Sequence, residues 1–117
     1  MTRIPFSSER LRAILADKRT EIAQAVRDFS DGHSRLRKFL GVDELLSEQR
    51  GILHSGGKLS SDERRRGDEL MYVLDVLSAY ALCDPSKRRS RMEVLAENYH
   101  NHPDNAKEIL EYFGLEM

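Results

Sequence analysis

Glu97 and His100 stand three residues apart, the E-x-x-H spacing by which di-metal carboxylate bundles ligate a metal from one helix face. Such a site needs more carboxylates and normally a second E-x-x-H, all facing the bundle interior. This chain has one copy, and a dimer would have to supply the second. On a helix, Glu93, Glu97 and His100 also lie away from the apolar stripe Met92, Leu95, Ala96 and Tyr99. A metal-binding bundle is therefore the third reading of the chain, and no metal ligand is expected. His100 and His102, with Asp104, sit in a turn and carry no further sign of a built site. His33 and His54 are isolated loop residues.

Catalytic patterns are sparse. Gly56-Gly57-Lys58 lacks both the spacing of a phosphate-cradling loop and the strand before it. Cys83 has no histidine near it in sequence and reads as a small core residue at the end of an apolar run. Asp75 is the one ionisable group inside that run. Burial would raise its pKa, a mark of functional sites, but a structural role is expected: pairing with an arginine of the first segment or lying at an interface seam. No catalytic residue and no cofactor is expected, and the chain reads as a non-enzyme.

Two basic runs remain. In Arg64-Arg65-Arg66, Asp62 precedes Arg66 by four residues, and Asp68 and Glu69 follow Arg64 and Arg65 by four. Each arginine is expected to pair with an acid one turn away, giving a solvated, self-neutralised face. The run Lys87-Arg88-Arg89-Ser90-Arg91 differs. Lys87 and Arg91 share a face with no acid between them, while Arg89 reaches toward Glu93 and Arg88 toward Asp84. These cations crowd the start of a helix, where the macrodipole favours anions. A phosphate or an acidic protein surface would offset that placement. Lys87, Arg88, Arg89 and Arg91 are therefore the candidate partner-binding residues. A DNA-reading helix-turn-helix is set aside, because the last helix carries Asp104, Glu108 and Glu111 against Lys107 alone.

The elements that must hold these residues are helical. Residues 60–83, SSDERRRGDELMYVLDVLSAYALC, open with charge and continue apolar on nearly every side of a helix. Such a helix must be surrounded. The spacing predicts a helix over about 61–82, opened by a capping box from Ser60 to Glu63. Around it, a first segment spans about Ser8 to Phe29, capped by Ser7, with Leu11, Ile14, Leu15, Ile22, Ala25 and Val26 inward. A short helix spans about Ser34 to Leu40 and stops at Gly41. Asp43 is expected to cap two further turns, ending near Arg50 at Gly51. Residues 51–59, with three glycines, read as the best loop in the chain. Asp84-Pro85 ends the central helix and starts another to about 99. Pro103 opens the last helix, which buries Ala106, Ile109, Leu110 and Phe113. Gly114 is its expected stop, with Leu115 folding back on Leu110.

The expected architecture is an all-α, compact five- or six-helix bundle around the central apolar helix, with residues 1–117 in a single domain. A chain of 117 residues buries a sufficient core without a staple, and its 39% hydrophobic and 33% charged residues suit a helical protein rather than a disordered one. With Lys+Arg at 19 and Asp+Glu at 20, net charge is −1, so no whole-molecule pull on nucleic acid or anionic membrane operates. One cysteine allows no internal disulfide. The opening MTRIPFSSERLR lacks the apolar run of a signal peptide, and the longest apolar stretch is too short to span a membrane. A cytoplasmic protein is expected.

Tyr72, Val76, Ala79 and Cys83 lie opposite Leu70 and Leu74 on the central helix. Short amphipathic neighbours are expected to cover that face incompletely, so these four form the expected seam of a homodimer. The function that fits is a small protein–protein interaction or regulatory module, such as an adaptor, inhibitor or accessory subunit, that docks a helical face. The alternative is a nucleic-acid-binding accessory protein using the basic turn.

Overall fold

The computed structural model of the chain describes residues 16, 18–29, 32–100 and 103–115. Among the described residues the elements are α1 (Arg19–Arg27), α2 (Gly32–Leu40), α3 (Val42–His54), α4 (Ser61–Leu82), a 3₁₀ turn (Pro85–Lys87), α5 (Arg88–Asn98) and α6 (Pro103–Tyr112). No strand occurs among them. The all-α bundle is thus observed, with α4 at its centre: each of the other five helices touches it.

The start of α4 follows its local chemistry. The Glu63 amide donates to Ser60 Oγ at 3.1 Å, and the Ser60 amide donates to Glu63 Oε1 at 2.8 Å. This reciprocal box satisfies two amides that a helix start otherwise leaves open. It also holds the Glu63 carboxyl below its usual pKa, chiefly through the bond from the Ser60 backbone. Past Gly67 the helix enters the core. Leu70, Tyr72, Val73, Leu74, Val76, Leu77 and Ala79 are all buried. They pack with Ile22, Leu36, Leu40, Leu45, Met92, Ile109, Leu110 and Phe113 from the surrounding helices.

The last helix ends as expected. Gly114 takes a φ of +69°, its amide donates to the Glu111 carbonyl at 3.0 Å, and the Leu115 amide donates to the Leu110 carbonyl at 2.8 Å. This is the Schellman arrangement, with Leu115 buried behind it.

Gly51 does not end α3. The helix runs through it to His54 and is closed by Gly56 and Gly57, whose amides donate to the Leu53 and Ile52 carbonyls at 3.2 and 3.0 Å. A glycine inside a helix costs only about 1 kcal/mol, and a second Schellman closure one turn later offsets it. The loop therefore covers 55–60 rather than 51–59. Asp43 is not the cap of α3 either. Gly41, at φ +68°, precedes the helix, and Asp43 takes the guanidinium of Arg37 at 2.5 and 3.2 Å.

The arginine run of α4 pairs differently from expectation. Arg66 approaches Glu48 of α3 at 4.0 Å, and Arg64 donates to the Leu59 carbonyl at 3.3 Å. Among the described residues, Arg64 and Arg66 use these backbone and cross-helix acceptors instead of the acids one turn along. Ser7, Leu11, Ile14 and Leu15, expected at the start of the first segment, lie outside the described residues, as does His102.

Candidate functional site

The seam between α4 and α5 is built from side chains at both ends. At one end, Arg88 Nε donates to the Tyr80 carbonyl at 3.2 Å, and its guanidinium lies 3.9 Å from the centroid of the Tyr80 ring. Tyr80 stands in the last turn of α4, where backbone carbonyls lack helical partners and carry the negative end of the dipole. No basic residue of α4 itself occupies that turn. Arg88 supplies the missing cation from the next helix.

At the other end, Tyr99 donates its hydroxyl to Asp75 in a short hydrogen bond. Its ring lies 5.0 Å from that of Tyr72, tilted by 53°. Among the described residues Asp75 is thus held by the tyrosine that closes α5, not by an arginine of the first segment. Burial pushes the Tyr72 phenol up to about 12. The Tyr99 phenol is also raised, first by burial, then by its bond to Asp75 and the negative charges of Asp75 and Asp68. Tyr72 is fully buried, and among the described residues its hydroxyl has no hydrogen-bond partner; the buried Oγ of half-buried Ser78 likewise has none.

These contacts run α5 back along α4, with residue 88 beside 80 and residue 99 beside 75. Met92, Leu95 and Ala96 fill the space between. The four cations of the basic turn are thereby separated. Arg88 falls on the inward arc with Met92 and Leu95 and is half-buried. Lys87, Arg89 and Arg91 are exposed, and none forms an ion pair among the described residues. The sequence held the signal for this split, since Arg88, Met92 and Leu95 follow i, i+4, i+7 spacing.

The expected dimer seam is also rearranged. Tyr72 at 1% exposure, Val76 at 0% and Ala79 at 6% are covered within the single chain. Cys83 is half-buried past the helix end, where its amide donates to the Ala79 carbonyl. Three of the four expected seam residues are thus covered by the chain itself, with the Tyr72 ring against that of Tyr99. Exposed large apolar side chains lie instead at Leu82, 73% exposed, Leu53, 53% exposed, and Val94, 46% exposed.

Glu97 and His100 both face outward. Among the described residues, no three His, Cys, Asp or Glu side chains gather as a metal ion would require. His100 has a backbone role: at φ +52° it turns the chain out of α5, and its amide donates to the Glu97 carbonyl at 3.0 Å. No helix among the described residues is long and apolar enough to cross a membrane.

No family model matches the chain, and no curated protein or solved structure matches it.

Proposed function

We propose that this chain is a small non-enzymatic protein–protein interaction or regulatory module that docks through the outer face of α5. One observation carries the reading: Lys87, Arg89 and Arg91 stand exposed, none of them in an ion pair among the described residues, where the helix dipole disfavours positive charge. A cation cluster that the fold does not neutralise is a surface on which an anionic partner gains affinity. The exposed Val94 on the same helix gives it an apolar margin, as a protein interface has and a phosphate track does not need. An adaptor, an inhibitor and an accessory subunit all work through such a face.

The test is affinity capture from native extract with the natural chain beside a Lys87→Gln, Arg89→Gln, Arg91→Gln variant of equal stability. The expected result is a defined protein retained by the first and lost by the second, insensitive to nuclease. Capture of nuclease-sensitive material, with affinity falling steeply between about 50 and 200 mM salt, would instead identify a nucleic-acid accessory protein. Equal capture by both chains contradicts docking through this face.

A further inference from the structure

The basic turn is one run in sequence but two surfaces in space. Lys87 closes the 3₁₀ turn and is the N-cap of α5, at φ −107° and ψ −4°, so its Cα stands at the head of the helical spiral. Lys87, Arg91, Val94 and Asn98 then recur at i, i+4, i+7 and i+11, and all four are exposed. Arg88 is withdrawn onto Tyr80. Arg89 lies about 160° round the helix from Arg91, on the flank of Glu93 and Glu97. The usable cations are therefore Lys87 and Arg91, followed on the same stripe by an exposed valine.

We infer that this stripe receives an acidic amphipathic helix of a partner protein, with two carboxylates four residues apart set against Lys87 and Arg91 and an apolar residue three positions further on against Val94. The inference rests on the docking reading above and specifies the partner's chemistry. Charge complementarity selects an acidic segment. Spacing selects a helix. At 1.5 Å per residue the three positions are about 6 and 4.5 Å apart along the axis, and a second helix reproduces both intervals at i, i+4, i+7. An extended strand repeats on one face about every 6.7 Å and cannot meet the shorter interval. The exposed valine argues against a phosphate backbone, which offers nothing apolar in that register, and the chain's net charge of −1 adds no long-range pull on a polyanion.

The test uses alanine-based helical peptides of about sixteen residues titrated into isotope-labelled protein by NMR. One carries Glu at i and i+4 and Leu at i+7, a second replaces Leu by Gln, and a third replaces both Glu by Gln. The full peptide is expected to shift the amides around Lys87, Arg91 and Val94. The peptide without Leu should bind at least fivefold more weakly, and the peptide without Glu at least tenfold. Lys87→Glu with Arg91→Glu should weaken the full peptide at least tenfold, while Arg89→Glu changes it less than twofold. If Arg89→Glu weakens binding as much as the pair, or if Leu contributes nothing, the register is overturned while a diffuse basic docking face survives. If no acidic peptide binds and the captured protein ignores all three reversals, the docking reading falls with it. Tighter binding of a 20-base-pair duplex than of any peptide assigns the stripe to phosphate and overturns the inference.

Discussion

Helices α4 and α5 lie side by side but are held by opposite means. α4 is buried by apolar side chains on nearly every side, from Leu70 to Ala79. α5 contributes only Met92, Leu95 and Ala96 to the core within its own length, and it is fixed at its two ends by polar contacts, Arg88 on Tyr80 and Tyr99 on Asp75. The outer face of α4 is used up by the fold; that of α5 is left over. Burial thus leaves one helix a free face and the other none. A helix enclosed on all sides has only stability to contribute, whereas a helix tacked down at its ends can present a face. It also shows that residue type does not decide role. Arg88 and Arg91 are three positions apart, and one is a strut while the other faces solvent.

Leu77→Ala in α4 should cost about 2–5 kcal/mol, since a fully buried leucine leaves a cavity. Val94→Ala on α5 should change stability by less than about 0.5 kcal/mol, as exposed substitutions do. Urea denaturation of both variants measures this, and similar losses would erase the distinction.

The tyrosine pair sharpens it. Tyr99→Phe removes the donor on which Asp75 depends and should cost about 1–2 kcal/mol. Tyr72→Phe removes a buried hydroxyl that has no partner among the described residues and should be neutral or stabilising by about 1 kcal/mol. Adjacent rings of one type should thus respond with opposite signs. The same pair predicts alkaline sensitivity. Both phenols titrate above the unfolded value of about 10. The unfolded chain therefore loses these protons first. Stability present below about pH 10 should fall as pH rises toward about 12, where Tyr72 itself ionises. Denaturation midpoints from pH 9 upward should decline less in a Tyr72→Phe, Tyr99→Phe double variant.

A smaller effect concerns Gly51, which lies inside α3 with open space where a side chain would stand. Gly51→Ala should stabilise by about 0.5–1 kcal/mol in thermal unfolding. A loss would mean that the chain needs the glycine's freedom there and that α3 is interrupted at that position.

Local chemistry was legible in the sequence, and tertiary choice was not. The Ser60–Glu63 box, the turn at Gly41 and the Gly114–Leu115 closure involve groups within five residues, so spacing alone predicts them. Gly51 misleads because a lone glycine and a glycine pair look alike in sequence, and only the pair at 56–57 completes the closing bonds. The arginines at 64 and 66 mislead because residues of other segments, Leu59 and Glu48, compete with acids one turn away. The coverage of Tyr72, Val76 and Ala79 depends on how α5 folds back, which no local pattern encodes. The basic turn was visible as a cluster. Its division into an inward and an outward set lay in the periodicity of Met92 and Leu95 and emerges once the tyrosine partner of Arg88 is placed.

Paired denaturation of Arg88→Gln and Arg91→Gln separates the inward arginine from the outward one. Arg88→Gln should lose about 1–2 kcal/mol, from a charged hydrogen bond to a helix-end carbonyl and a stacked aromatic ring. Arg91→Gln should leave stability within about 0.5 kcal/mol of the natural chain, or raise it slightly by relieving the dipole. A neutral Arg88→Gln beside a destabilising Arg91→Gln would contradict the account, because the arginine that holds α5 against α4 would then be the one assigned to the open face.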